Sequence, residues 1–467
     1  MFYADDQPII ACATGTSLAA LAIIRISGMP DLALWNSYFS TDLLKLIPRT
    51  QTLTKIKSRD GKQIYDQGLI TFFPAPHSYT GENLLELTVH GNPAQVQRIM
   101  DLFIQQQLCR YAQAGEFTQR AIKNKKMTLA QAEGLDLFYQ ANAQAVAEQG
   151  LSLLFGGLYE QYWRLRQLFL DWSAAFNLFF DFLEDVGSAQ ATQTWQQASA
   201  ALLNLCQSLA QQCQHQWENF VHPTVVLLGP PNAGKSSLFN TLLQTPRAII
   251  HEQAGTTRDY LAQDYAFAQN TYRLIDTAGI WAGQEAVEKE GIARSLAWKD
   301  KAFFKILVLD PTAQANAPTY DLVQLAQEHF ALLVLTHADQ TTPEMVKQTK
   351  QELVSKTISY EQELHLDLSG HPTAQGKQDA PGLIWPLVAQ AYQTLAARQP
   401  LAIERHRQLI LEIAPLVEQV IHDFGKQDLT ILEMQIKIVA QKIEELVGIV
   451  DAQEIIDQVL AKFCIGK

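Results

Sequence analysis

The chain has 467 residues, 36 of them Lys or Arg and 48 Asp or Glu, for a formal net charge of −12. With 47% hydrophobic and 18% charged residues it reads as soluble and globular, with room for about three domains of roughly 100–200 residues each. That acidity argues against unaided, non-specific nucleic-acid binding. Met1-Phe-Tyr-Ala-Asp-Asp6 lacks the basic start of a signal peptide, and no apolar run reaches roughly 18 uncharged residues, so neither secretion nor a membrane span is expected. The five cysteines (12, 109, 206, 213 and 464) are scattered without a C-x-x-C pair, which fits a reducing, cytoplasmic setting and neither a disulfide framework nor a zinc site.

Taken in order, the first ~120 residues mix short strand-like runs, Ala20–Ile26 and Leu84–Val89, with Gly- and Pro-rich loops, an α/β pattern. Arg120, Lys123, Lys125 and Lys126 fall close together and form one modest basic patch, which reads equally well as a solvated helix start. From Leu129 the pattern turns helical. Leu158, Tyr162, Leu165, Phe169, Trp172, Phe176, Phe179 and Leu183 recur at spacings of four and three, one apolar stripe that predicts a core or bundle seam. Gly187-Ser188 interrupts it, and a second helical stretch runs to about Trp217. Cys206 and Cys213 on that stretch read as core thiols rather than metal ligands beside His215.

The middle of the chain carries the chemistry. After the apolar run Thr224–Leu228 comes Gly229-Pro-Pro-Asn-Ala-Gly-Lys-Ser-Ser237, which fills every position of G-x-x-x-x-G-K-[ST] between a predicted buried strand and a helix. Its glycines allow backbone N–H groups to converge on phosphate, so Asn232, Ala233, Gly234, Lys235, Ser236 and Ser237 are candidate nucleotide contacts. Lys235 supplies a point charge near the β- and γ-phosphates, and Ser236 a hydroxyl for Mg²⁺. Gly255-Thr256-Thr257 forms a polar loop in which Thr257 completes the metal shell. Asp276-Thr277-Ala278-Gly279 follows a further strand-like run, with Asp276 on the Mg²⁺ shell and the Gly279 N–H near the γ-phosphate. Ile280 cannot orient water, so that group has to come from elsewhere; Gln284–Glu290 offers three carboxylates for the role, each of which alone reads equally as part of a solvated charged loop.

After the strand Leu332–Leu335 stands Thr336-His-Ala-Asp339, where a guanine site ordinarily has Asn-Lys-x-Asp. Asp339 keeps the carboxylate for guanine, Thr336 is shorter than Asn and lacks its amide, and His337 takes the place of the Lys stem. Leu368-Ser-Gly370 is the nearest candidate for the loop that follows. Helical periodicity returns with Leu432, Ile436, Val439, Ile443 and Leu446. Asp451 with Glu454 begins a last helix carrying Ile455, Ile456, Val459 and Phe463. The expected domains are 1–122, 123–220, 221–380 and 381–467, a helical bundle interrupted by an inserted P-loop (Ras-like) GTPase domain behind an N-terminal α/β domain.

The terminus Phe463-Cys-Ile-Gly-Lys467 fits a prenylation signal poorly. It closes the MnmE (TrmE) family of tRNA-modification GTPases, which the chain resembles from end to end. The matching segments are Ala22–Gly28, Pro76–Glu82 with Leu85-Glu-Leu and His90-Gly91, and Gly115–Ala121 leading to Leu129–Glu133. The resemblance implies an N-terminal domain that dimerises and binds 5-formyltetrahydrofolate or a related folate at Arg25, Glu86, Lys126 and Lys467. It implies GTP hydrolysis in a complex that adds a carboxymethylaminomethyl or aminomethyl group at carbon 5 of the wobble uridine of certain tRNAs. The partner would be a flavin-dependent subunit of the MnmG (GidA) type, in a heterotetramer or larger complex without a membrane.

By the same resemblance, Asn232 and Thr256 hold a K⁺ ion that replaces an arginine finger as two GTPase domains meet, and Glu288 orients water. Cys464 is either chemically active or a packed helix-end thiol. Gly15–Ala20, His251-Glu-Gln253, Trp281 and Thr336-His337 depart from the family pattern, so the chain reads as a divergent member with loosened guanine affinity. The alternatives are a hydrolysis-impaired GTP-binding scaffold and a regulatory GTPase of ribosome assembly.

Overall fold

A computed structural model describes residues 7–15, 17–180, 188–213, 220–230, 232–243, 262–276, 298, 301–313, 325, 327–368, 379–398 and 401–449. The chain forms two compact units, one from Met1–Asp136, Gly150–Leu202 and Leu416–Lys467, the other from Leu137–Gln149 and Leu203–Pro415.

The first unit opens with a six-stranded sheet built from β1 (Ile9–Cys12), β2 (Leu21–Ser27), β3 (Thr52–Lys57), β4 (Ile64–Phe73), β5 (Leu84–His90) and β6 (Arg110–Tyr111) in the order β3-β4-β5-β2-β1-β6. Neighbours are antiparallel except β1 and β6. Along β2 the side chains alternate, so Ala22, Ile24 and Ile26 are buried while Ile23 and Arg25 point to the other face. β2 and β5 each lie within one residue of the strand-like runs expected there. α1 (Pro93–Gln105) covers the buried face, and its Val96, Ile99 and Phe103 join Ile24, Leu85 and Leu87 in one core. Asn92 caps this helix by accepting from the Gln95 N–H, and Pro93 occupies the first turn, where its missing N–H costs nothing.

Helices follow: α2 (Glu116–Lys123), α3 (Leu129–Gln140), α4 (Gln144–Phe155), α5 (Gly157–Phe180) and α6 (Ser188–Cys213). Six positions of the predicted stripe lie along α5, with Leu158, Tyr162, Leu165, Phe169, Trp172 and Phe176 buried, whereas the Phe179 side chain and Leu183 lie outside the described residues. Trp172 stacks on Trp195 at 5.2 Å and donates its indole N–H to Ser199 at 3.0 Å. Cys206 and Cys213 are buried thiols, as expected, and burial pushes the Cys213 thiol up to about 12. The expected basic patch is smaller than its sequence suggested. Arg120 is buried, leaving Lys123, Lys125 and Lys126 exposed.

The second unit is a doubly covered sheet of β7 (Thr224–Leu228), β8 (Ala262–Phe267), β9 (Asn270–Asp276), β10 (Phe304–Leu309), β11 (His329–Leu335) and β12 (Ser359–His365). Its order is β12-β11-β10-β7-β9-β8, parallel except for the β8–β9 hairpin. β7 is buried at all five positions, the continuous apolar run that a parallel strand covered on both faces requires. Strand order reverses at β7, and in such sheets the carboxyl end of the strand at the reversal is the usual ligand position.

α7 (Lys235–Leu243), α8 (Pro343–Ser355), α9 (Ala380–Ala396) and α10 (Glu404–Asp423) complete the set up to α11 (Leu429–Val447). Trp385 of α9 stacks on Tyr265 at 4.3 Å and donates to the Leu242 carbonyl at the end of α7 at 3.4 Å. In the first unit, α11 packs along α5 and buries Leu432, Ile436, Val439, Ile443 and Leu446, as their spacing predicted.

Candidate functional site

The loop after β7 owes its shape to two glycines. Gly229 has φ +147°, and a Cβ there would lie 2.1 Å from the Val308 carbonyl oxygen of β10, so any side chain would displace the backbone. Gly234 has φ +92° and faces Thr336, whose Cγ2 would be 3.0 Å from a Cβ. Asn232 between them also has positive φ, +63°. Lys235 is buried, and its ammonium donates to the carbonyls of Gly229 at 2.9 Å and Pro230 at 2.7 Å, bracing the loop across its base. Ser236 and Ser237 follow in the first turn of α7 and are exposed.

Asp276 is the last residue of β9, which pairs with β7 and delivers the carboxylate to the loop. Ser236 Oγ donates to Asp276 Oδ2 at 2.7 Å. Two motifs forty residues apart thus meet at one point. A hydroxyl and a carboxylate are hard oxygen donors, the set that suits Mg²⁺, so the residues present fit that ion.

On the base side Thr336 is buried directly after β11. Its side chain is fully engaged, with Oγ1 3.0 Å from the Ala233 carbonyl and 3.2 Å from that of Leu309. His337 has φ +54°, and its Nε2 lies 3.7 Å from Asp310 Oδ2. Asp310 also accepts from the Thr312 N–H and hydroxyl at 2.8 and 2.7 Å, a turn that sequence reading passed over. Asp339 is exposed, with Gln340 Nε2 3.3 Å from its Oδ2. Gly255, Thr256, Thr257, Thr277, Ala278, Gly279, Glu288, Cys464 and Lys467 lie outside the described residues, as do His215, Gly370 and the expected last helix.

In the N-terminal sheet, Arg25 on β2 and Glu86 on β5 are direct cross-strand partners. The Arg25 guanidinium donates twice to Glu86 Oε1, at 2.9 and 2.7 Å, and lies 5.6 Å from the Tyr79 ring and 5.8 Å from that of Phe117. Lys126 is exposed and packs its aliphatic stem near Gly81.

The buried Arg120 and Glu116 centre a network that no single motif announced. Arg120 donates to Glu82 at 3.1 Å, to Glu116 at 3.1 Å and to the Gln7 carbonyl at 2.8 Å. Arg110 grips Glu116 with two bonds of 2.9 and 2.7 Å. Ser27 Oγ lies 2.8 Å from Glu82 and 2.6 Å from the Thr80 hydroxyl. Burial raises the affinity of Glu116 for a proton. The bonds from Arg110 and the Gln113 N–H, with the charges of Arg110 and Arg120, more than offset this and hold its carboxyl below the ordinary value.

The phosphate loop at the switch of strand order, the strand-end aspartate and the buried lysine define a P-loop GTPase domain set within a longer α/β and helical chain. The family profile described as GTP-binding protein TrmE N-terminus matches residues 8–126, and that of 50S ribosome-binding GTPase matches residues 224–337. The tRNA modification GTPase MnmE of Dichelobacter nodosus is 32% identical over 476 residues, covering 99% of each chain. That of Aquifex aeolicus is 27% identical over 467 residues, 99% of this chain and 100% of the relative. A third relative, the mitochondrial 5-taurinomethyluridine-[tRNA] synthase subunit GTPB3 of Danio rerio, is 28% identical over 500 residues, 99% of this chain and 93% of its own. The chain belongs to the MnmE family of tRNA modification GTPases.

Proposed function

We propose that this GTPase is the hydrolytic component of a complex that adds a carboxymethylaminomethyl or aminomethyl group at carbon 5 of the wobble uridine of certain tRNAs. The nucleotide part of this reading is carried by the 2.7 Å meeting of Ser236 and Asp276 beside the loop that Gly229 and Gly234 shape. The tRNA part is supported by membership of the family.

In this reading Asn232 to Ser237 wrap the phosphates, with Gly255, Thr256 and Thr277 to Gly279 closing the cradle. Lys235 exchanges its loop carbonyls for phosphate oxygens, a replacement of acceptors that leaves its buried charge satisfied. Ser236 and Thr257 ligate Mg²⁺, with Asp276 behind them. Bound magnesium supplies charge neutralisation on the transferred phosphate. Asp339 accepts the guanine N–H groups, and Glu288 holds the attacking water. Asn232 and Thr256 take a K⁺ ion where other GTPases use an arginine finger, as two GTPase domains (221–380 in each chain) associate.

Arg25, Glu86, Lys126 and Lys467 form a folate site in which cations answer the glutamyl carboxylates and a carboxylate answers the pterin. The Tyr79 and Phe117 rings beside Arg25 suit a flat heterocycle. The working assembly is a homodimer joined to a flavin-dependent subunit in the cytoplasm.

The test is GTP turnover by the purified chain in potassium and in sodium salts at equal ionic strength. Turnover should be faster in potassium, and Glu288→Ala should slow it by about a hundredfold or more, the range for a lost acid–base group. Equal rates in both salts reject the potassium site, and an unchanged Glu288→Ala rate rejects the role of Glu288. Nucleoside analysis of tRNA from cells lacking the chain should show loss of the carbon-5 group, and an unaltered profile removes the tRNA assignment.

A further inference from the structure

Thr336 is 1% exposed and directly follows β11. Its backbone N–H donates to the Leu309 carbonyl at 2.9 Å. Its hydroxyl has one proton and two carbonyls in reach, Ala233 at 3.0 Å and Leu309 at 3.2 Å. Leu309 already has the amide, so Ala233 is the acceptor that needs the hydroxyl. The Thr336 methyl meanwhile fills the space that a side chain at Gly234 would take.

The consequence follows from peptide geometry. In a planar trans peptide the carbonyl and the next N–H point in opposite directions. With the Ala233 oxygen held toward Thr336, the Gly234 N–H must point away from it, the direction in which the loop offers N–H groups to phosphate. Gly234's own carbonyl is taken by the Leu238 N–H at 2.9 Å, which fixes the other side of the residue. Glycine tolerates both signs of φ, so the 233–234 peptide has little intrinsic resistance to turning over.

We infer that Thr336 is a positioning residue for phosphate: it locks the 233–234 peptide so that the Gly234 N–H faces the nucleotide, and it does not read the base. Thr336 is therefore a functional replacement on the phosphate side of the site rather than a degraded base contact. The inference rests on the reading of this loop as the GTP site.

The experiment measures dissociation constants of GDP, GTP and IDP on the full-length chain and on Thr336→Val, Thr336→Ser and Thr336→Cys. Valine keeps the shape and removes the donor, so all three nucleotides should weaken together by about tenfold, the scale of one buried acceptor left unpaired. The GDP-to-IDP ratio should stay at its wild-type value. Serine and cysteine both lack the methyl but differ in donor strength, so serine should bind like wild type and cysteine like valine. This pair decides the matter if the valine variant folds poorly. Unchanged affinity in valine or cysteine overturns the tether, even if the melting temperature falls, because packing alone would lower stability and spare nucleotide affinity. A loss confined to GDP over IDP overturns it in favour of base reading. A wild-type chain that binds no guanine nucleotide overturns the site assignment, and the inference with it.

Discussion

Arg120 carries a full positive charge to a place where only 7% of its side chain meets solvent. An arginine cannot discard its proton there, so the surrounding fold has to supply acceptors. Glu116, Glu82 and the Gln7 carbonyl do so, and Arg110 braces Glu116 from the other side. Removing the charge of Glu116 alone leaves two guanidiniums short of a partner. Glu116→Gln should therefore destabilise the N-terminal fold by about 3 kcal/mol at neutral pH, the scale for breaking a buried pair. The pH dependence has a definite sign. The native carboxyl titrates below the unfolded value of 4.5, so its contribution is complete above that value. It is lost as pH falls further, because the unfolded chain takes up the proton first. Urea unfolding across a pH series should show a wild-type advantage over Glu116→Gln that is flat near neutrality and shrinks below 4.5. An advantage independent of pH would show that Glu116 acts by shape rather than by charge.

Strand β9 is where local order and site geometry meet in one element. Its carboxyl end is Asp276, and its other end is stitched to the turn before α4: the Thr271 N–H donates to the Asn142 carbonyl at 2.7 Å, and Asn270 Oδ1 accepts from the Gln144 N–H at 3.2 Å. Asn270 also donates to the Ala268 carbonyl at 3.0 Å and the Tyr272 hydroxyl at 3.3 Å, so one amide serves both the hairpin and the turn. Asn270→Ala should cost about 1–3 kcal/mol, the penalty for orphaned buried partners, and should speed hydrogen exchange at the Gln144 amide. GDP affinity should stay within about twofold, because β7 still holds the Asp276 end in register. Unchanged exchange at Gln144 would show that the turn is held by its apolar packing instead.

The same element marks the limit of what the sequence reveals. The continuous apolar runs of β7 and β11 and the glycine spacing of the phosphate loop are local signals, written in adjacent residues, and they placed those elements correctly. The seam at Asn142 to Gln144 carries no periodicity and no motif. The tether of Thr336 to Ala233 spans 103 positions, and that of Arg120 to Glu82 spans 38. Such partners are chosen by the fold, so a run of lysines and arginines could not disclose that one of them is internal.

Across the whole molecule, the chain leaves the first unit and returns to it. α5 and α11 are packed together although more than two hundred residues of the second unit lie between them in sequence. The core clusters respect this division: the one around Ile24, Leu87 and Phe103 draws only on the first unit, and the one around Val225, Tyr272 and Trp385 only on the second. A ligand stabilises what it binds, by about 2.7 kcal/mol at a hundred times its dissociation constant, and does so only for openings that abolish the site. Openings of the second unit abolish it, because Gly229, Ser236 and Asp276 are anchored on β7, α7 and β9. Separate cores allow the N-terminal sheet to open while the site persists. Saturating GDP should therefore slow hydrogen exchange in β7, β10 and β11 by roughly a hundredfold, the exchange equivalent of that stabilisation, and leave β2 and β5 near their nucleotide-free rates. Equal protection in both sheets would mean that the two cores open as one cooperative unit, and that nucleotide occupancy is felt across the return of the chain.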